Sequence, residues 1–423
     1  MSTEVKRRMS IEYNNNECFI DGVPVQKIAK DFGTPCFIYS SNEIYKNFNE
    51  INESFSNEKR KVFYSVKANP NLSILKLLAD MGAGFDIVSI GELERVIKIG
   101  VSPEKIIYSG VGKSEEEIIR SIEYGIYCLN VESFSELQRI AKISEKLGKI
   151  TPVSIRVNPN IDPGSHEFIS TGLESTKFGI NLKNMVKAFS FANEQTFLNL
   201  IGIDYHIGSQ IESLEPFQEA IISVKKIINE LKKSGIKIDL IDMGGGLGIN
   251  YKNNKTPTLK QFGSIINKTI SDNDLSSYNF IIELGRSIVG NSGFIVTKAE
   301  YIKTDSEKNF VIVDAGMDNL IRPALYGAWH DIQPVIRSKE KEILYDVVGP
   351  VCECTDFLGK DRLLSVNQGD LLIISSCGAY ASSMESNYNS RLRPPEIIIK
   401  NGKAFEIRKK EKIEDLFSRE IIL

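Results

Sequence analysis

From about residue 41 the chain alternates short β-branched runs with amphipathic stretches of helical period, and this alternation leaves few folds open to it. The β-branched runs are residues 61–66, 84–88, 105–108, 126–130, 152–157, 200–205, 237–243 and 279–282. Helical patterns occupy 73–81, 92–99, 114–124, 133–147, 183–192, 216–233 and 258–270, with a leading helix over 42–55. Eight strands joined by seven helices predict an α/β fold built on a (β/α)8 TIM-like barrel. After about residue 290 the helical period disappears. Apolar alternation over 294–301, 309–315, 342–348 and 370–375 predicts a mainly antiparallel β-domain, which the strand-like residues 18–20 and 36–39 join. The expected domains are therefore 41–290 for the barrel, and 1–40 together with 291–423 for the β-domain. The polar run Asn14-Asn15-Asn16 reads as a turn.

Composition narrows the partners. A length of 423 residues allows more than one core, and 42% hydrophobic with 25% charged residues is ordinary for a globular protein. Net charge is only −3 with both signs interspersed, so no field gathers nucleic acid or an anionic membrane, and a small molecule is the expected partner. Six irregularly spaced cysteines fit free thiols in a reducing compartment. The N-terminal MSTEVKRRMS lacks the apolar run of an export signal, and the apolar stretch at 280–289 is interrupted by Glu283 and Arg286. A cytoplasmic protein without membrane spans is expected.

A barrel of this kind builds its site from residues at the C-terminal ends of its strands. The first strand ends in Tyr64-Ser65-Val66-Lys67-Ala68-Asn69-Pro70, with a lysine at the turn. That lysine is either a solvated surface group or a reactive amine. The sixth ends in Tyr205-His206-Ile207-Gly208-Ser209-Gln210, and His206 can be a satisfied core residue, a packing partner for a flat ring, or an acid or base. The seventh runs into Gly244-Gly245-Gly246-Leu247-Gly248, either a tight turn or a loop whose amides close on an anion, in the region where barrels hold phosphate. The eighth ends in Glu283-Leu284-Gly285-Arg286, a local ion pair or a carboxylate and a guanidinium at one rim.

Together these residues supply an amine able to form a Schiff base, a phosphate cradle, a flat packing partner and an acid to keep a ring nitrogen protonated, as a pyridoxal phosphate site requires. In combination they resemble the alanine-racemase-like, fold-type III decarboxylases, and among these most closely the diaminopimelate decarboxylase family, over about residues 15–420. The resemblance implies that Lys67 carries pyridoxal 5'-phosphate and that His206 packs on its ring. It implies further that Gly245 and Gly246 contact the phosphate and that Glu283, Gly285 and Arg286 line the cofactor. Leu284 stands where the family usually has proline, a change that should affect loop stiffness more than chemistry.

By the same resemblance, Val351-Cys352-Glu353-Cys354-Thr355-Asp356 matches a segment whose cysteine, Cys352, donates a proton and whose glutamate, Glu353, contacts substrate; Cys354 replaces the usual serine. The plainer reading makes Cys352 and Cys354 buried small residues, and as a metal site the pair lacks further ligands, so no metal is expected. Tyr380 of Gly378-Ala379-Tyr380 matches a tyrosine that contacts cofactor or substrate, or is an ordinary aromatic at a strand end. Arg322 and Tyr326, in Asp318-Asn319-Leu320-Ile321-Arg322-Pro323-Ala324-Leu325-Tyr326, match substrate-binding residues that act alongside Arg286. Segments in 165–179, including His166, resemble the family as well, whereas Trp329 and His330 read as packing.

Guanidinium forks suit carboxylates, and meso-2,6-diaminopimelate carries a second carboxylate that ornithine and lysine lack. The implied reaction is therefore its decarboxylation to L-lysine and carbon dioxide, the last step of lysine biosynthesis. It would occur in a homodimer whose sites combine both chains. The alternatives are a related decarboxylase of ornithine, arginine or carboxynorspermidine, an alanine racemase, and a non-catalytic binder, the last expected to have lost Lys67 or Cys352.

Overall fold

The computed structural model describes residues 11–159, 161, 177–252, 256–304 and 307–423. The chain divides into two compact units, one of Asn47–Ile249 with Lys255–Ser287, the other of Met1–Lys46 with Asn250–Asn254 and Ile288–Leu423.

In the first unit the strands are β1 (Arg60–Ser65), β2 (Gly84–Ile87), β3 (Ile106–Ser109), β4 (Cys128–Val131), β5 (Thr151–Arg156), β6 (Leu198–Asp204), β7 (Leu240–Asp242) and β8 (Asn279–Leu284). They close into a barrel in which each strand pairs in parallel with its sequence neighbours and β8 pairs with β1. The expected fold is thus the observed one, although β7 is shorter than its apolar run. Inside the barrel Phe63, Ile107, Cys128, Leu240 and Ile281 form a buried cluster. Phe63 fits only because its β2 neighbour is Gly84, where a Cβ would fall 2.6 Å from the ring. The helices that follow the strands start with side-chain caps: Ser89 accepts from the Glu92 amide, Ser133 from Glu136, and Ser114 with Glu117 forms a reciprocal box. These caps fix the turns at the strands' C-terminal ends, where side chains for chemistry must be held.

The second unit contains a nine-stranded sheet. Its main path runs Phe357–Leu364, Ile343–Val348, Asn309–Val313, Gly293–Thr304, Cys36–Ser40, Glu396–Lys400 and Lys403–Arg408, with Ile332–Pro334 and Leu371–Ile374 attached to it. Pairing is antiparallel except between Asn309–Val313 and Ile343–Val348, and between Cys36–Ser40 and Glu396–Lys400. Cys18, Ile20, Cys36 and Ile38 share one core with Phe294, Val296, Ile373 and Ile397, so the N-terminal segment packs with this sheet and supplies one of its strands, Cys36–Ser40. Ile11–Asn14 and Glu17–Ile20 form a hairpin across Asn15 and Asn16, both left-handed at φ 48° and 68°. The helix Val25–Phe32 was not expected in so strand-like a segment. It forms because Val25 and Ile28, three residues apart, both face the core while Gln26, Lys27 and Lys30 stay outside. Phe357–Leu364, Glu396–Lys400 and Lys403–Arg408 are further strands that the alternation did not single out.

Candidate active site

At the C-terminal rim of the barrel, β1 passes into a single 3-10 turn, Val66–Ala68, that carries Lys67. The turn is braced locally. The Tyr64 hydroxyl donates to the Asn69 carbonyl at 3.0 Å, and Asn71 caps the next helix by accepting from the Ser73 amide. Lys67 Nζ donates to Asp86 Oδ2 of β2 at 2.7 Å; the aspartate side chain is fully buried, while that of the lysine is 36% exposed. The amine is therefore anchored from inside the barrel and reachable from outside it.

Glu283, on β8, is buried, and its Oε1 accepts from Ser109 Oγ at 3.2 Å. Asp242, on β7, belongs to the same network: the Asn130 amide donates both to Ser109 Oγ at 3.0 Å and to Asp242 Oδ2 at 3.1 Å. Burial first, then the nearby charges of Asp242, Asp86 and Asp204, hold the Glu283 carboxyl well above the usual carboxylate range, with Lys67 opposing. Asp242 is itself pushed up to about 6, chiefly by burial. Burial and the surrounding negative charge thus favour the protonated form of Glu283.

His206 follows β6, and its Nδ1 accepts from the Gly245 amide at 3.1 Å. Burial, helped by Arg156 and Lys67, drives the imidazole well below its ordinary 6.5, so it is neutral and offers an uncharged flat face. The glycine loop is as close-packed as its sequence suggests. A Cβ on Gly245 would fall 1.8 Å from the Glu283 carbonyl oxygen, and one on Gly246, at φ +115°, would fall 2.1 Å from that of Gly208. A Cβ on Gly285 would fall 2.8 Å from that of Ala68, and Arg286 donates to Ser209 Oγ at 3.0 Å. The first unit thus brings Lys67, His206, Gly245, Gly246, Glu283, Gly285 and Arg286 to the barrel's C-terminal end.

A second group of rim residues escaped the sequence reading. Arg156 of β5 pairs with Glu132 at 2.6 Å and lies 3.8 Å from Asp204 of β6, and Glu132 also accepts from the Gly179 amide at 2.9 Å. Asn130 of β4 donates to Ser109 and Asp242. The signal that could have found them is a single polar residue near the end of each apolar run, as in Gly84-Phe85-Asp86-Ile87 or Leu240-Ile241-Asp242. A lone buried charge on successive strands is a costly arrangement that structure alone does not favour.

In the second unit Cys352, Glu353 and Cys354 lie in a bend and all three are exposed. The reading of the two cysteines as buried small residues is therefore wrong: the bend is tied down by polar contacts rather than by burial. Asp356 accepts from the Met317 and Val351 amides at 2.6 and 2.7 Å, and the Cys352 amide donates to Asn389 at 2.7 Å. Arg322 opens the helix Arg322–Tyr326 and is buried, its guanidinium 5.1 Å from the Tyr251 ring centre and 5.8 Å from that of Tyr326. Tyr380 is half-buried at φ +55°. His330 is fully buried with Nδ1 2.9 Å from the Ser375 carbonyl, a packed position. His166 and the resembling residues of 162–176 lie outside the described residues.

An anchored amine open to solvent, a neutral flat imidazole, backbone where side chains would otherwise fill the loop, and a carboxyl holding a proton form a donor set that fits a phosphorylated pyridine aldehyde. The comparisons agree. Residues 41–290 match the model of the pyridoxal-dependent decarboxylase family, pyridoxal binding domain. Diaminopimelate decarboxylase of Pseudomonas aeruginosa is 42% identical over 414 residues, covering 98% of this chain and 99% of the relative. That of Neisseria meningitidis serogroup B is 43% identical, covering 95% and 97%. Among solved structures, diaminopimelate decarboxylase of Helicobacter pylori in complex with L-lysine superposes with a TM-score of 0.89 at 42% identity, covering 93% of this chain and 98% of the other. The enzyme from M. jannaschii, also with L-lysine, gives 0.93 at 38% identity and 98% coverage of both. With this likeness running through barrel and sheet alike, the chain belongs to the diaminopimelate decarboxylase family of pyridoxal-dependent decarboxylases.

Proposed function

We propose that this chain decarboxylates meso-2,6-diaminopimelate to L-lysine and carbon dioxide with pyridoxal 5'-phosphate as cofactor. The observation that carries the reading is the anchored, solvent-reachable Lys67 amine at the barrel rim of a chain that is like diaminopimelate decarboxylases over almost its whole length.

Lys67 would hold the cofactor aldehyde as a Schiff base, His206 would cover one face of the ring, and the amides around Gly245, Gly246 and Gly285 would receive the phosphate. Bound pyridoxal phosphate supplies an electron sink for the pair left when the carbon–carboxyl bond breaks. Glu283 keeps a proton at the ring nitrogen, for which its raised proton affinity suits it. Arg286 and Arg322 would receive substrate carboxylates, Tyr326 and Tyr380 would contact substrate, and Glu353 would answer the distal ammonium. Cys352 delivers a proton from Sγ to the carbon that lost the carboxylate. The exposure of Cys352 and Glu353 in the single chain suits a homodimer in which they face the partner's site. Six free thiols suit the cytoplasm.

The test is carbon dioxide and lysine release from meso-diaminopimelate by the purified chain with pyridoxal phosphate. Release is expected to vanish in Lys67→Ala. Release from ornithine or arginine in preference would replace the substrate assignment, and unchanged release by the variant would remove Lys67 from its role.

A further inference from the structure

We propose that Asp242 is a positioning residue that keeps the ring nitrogen of the cofactor protonated, by holding a second negative charge in the hydrogen-bond network of Glu283. The inference rests on the reading of Glu283 as the partner of that nitrogen.

The hydrogen-bond geometry fixes the polarity of this network. The Asn130 amide donates to Ser109 Oγ at 3.0 Å and to Asp242 Oδ2 at 3.1 Å. Ser109 must then direct its single proton to Glu283 Oε1, 3.2 Å away. Asp242 Oδ1 receives the Gly244 amide at 3.0 Å. Asn130 and Gly244 can only donate here, so Asp242 presents lone pairs on both oxygens. With both Asp242 oxygens accepting from donors, the mobile proton of the group belongs on Glu283.

With the proton on a ring nitrogen, Glu283 and Asp242 are both anions, and the positive charge of the protonated ring offsets their mutual repulsion, an offset that is lost when the proton leaves. Asp86 on β2, Asp204 on β6 and Asp242 on β7 face Glu283 as carboxyls, that of Asp204 itself held well above the usual carboxylate range by burial and by Asp242; Lys67 after β1 and Arg156 on β5 face it as cations; β3 and β4 contribute the neutral Ser109 and Asn130. Asp242 is linked to Glu283 through Asn130 and Ser109, and its other oxygen accepts from the amide of Gly244, the first glycine of the loop. One side chain therefore couples the acid at the nitrogen to the loop that would receive the phosphate.

The experiment uses holoenzyme reconstituted with pyridoxal phosphate labelled with 15N in the ring, followed by 15N NMR from about pH 6 to 9, for the wild type, Asp242→Asn, Asp242→Ser and Glu283→Gln. The wild type is expected to show a protonated ring nitrogen throughout. Removing the Asp242 charge is expected to lower the pH at which that proton leaves by roughly two units. Glu283→Gln is expected to show an unprotonated nitrogen at every pH. Wild-type behaviour in both Asp242 variants, with loss in Glu283→Gln, would overturn the role of Asp242 alone. A protonated nitrogen in Glu283→Gln would instead overturn the reading of Glu283. Serine avoids the donor-to-donor clash that asparagine makes with Asn130, so it serves if asparagine disturbs the fold. Failure of both variants to take up cofactor also counts against the proposal, because a group that only sets the ring proton leaves binding intact.

Discussion

Gly245→Ala puts the closest approach in the barrel rim under test. The new Cβ would lie 1.8 Å from the Glu283 carbonyl oxygen and 2.9 Å from its carbon, both backbone atoms that no side-chain rotation can clear. The loop after β7 or the end of β8 must separate by more than 1 Å. Two hydrogen bonds stand in the way, from the Glu283 amide to the Gly244 carbonyl at 2.8 Å and from the Gly245 amide to His206 at 3.1 Å. Overpacking costs about 1–3 kcal/mol, and each lost hydrogen bond about 1 kcal/mol more. In the unliganded protein the loop can relax outward and recover part of this cost, but cofactor must then pull it back. A penalty of about 3 kcal/mol on binding weakens pyridoxal phosphate roughly a hundredfold. The assay is cofactor affinity by equilibrium dialysis, with Gly91→Ala as control, since nothing lies nearer to a Cβ there than Ser89 Oγ at 3.8 Å. Wild-type cofactor affinity in Gly245→Ala would refute the reasoning, because it would mean that the loop and β8 do not constrain one another.

Two further outcomes follow from burial. Glu92, half-buried and accepting from the Val88 amide, is raised from its ordinary 4.5 to about 7, chiefly by desolvation. The stability that accompanies its protonated form is whole below about pH 4.5 and is lost as pH rises through about 7, so denaturant titration should find Glu92→Gln equal to wild type at low pH and about 2 kcal/mol more stable near pH 8. A wild type that keeps pace with the variant across that range would contradict the shift. Cys352 and Cys354 are exposed, whereas Cys18 and Cys36 are buried with thiols pushed up to about 12, and Cys128 and Cys377 are raised by burial as well. A thiol reagent should therefore modify two cysteines of the native protein quickly and the other four only after denaturation, as counted by intact mass.

Much of the architecture was legible because it is written in local periodicity. Eight apolar runs and the helices between them dictate a closed barrel once each helix buries one stripe, and chain chemistry alone then places Lys67, His206, the glycines and Glu283 at one end. Periodicity was weaker where pairing is long-range. Cys36–Ser40 finds Glu396–Lys400 across more than 350 residues, a partnership set by a shared core and not by any local signal.

The sequence by itself determined the barrel, the turn residues and the types of reactive group. Only the tertiary structure decided their states. That Lys67 rests on Asp86, that His206 is neutral against the Gly245 amide, and that the Glu283 carboxyl is held well above the usual carboxylate range depend on which strands come to lie side by side and on how completely water is excluded between them. Proton affinity follows desolvation and neighbouring charge, and both are properties of distance in space that order along the chain does not contain.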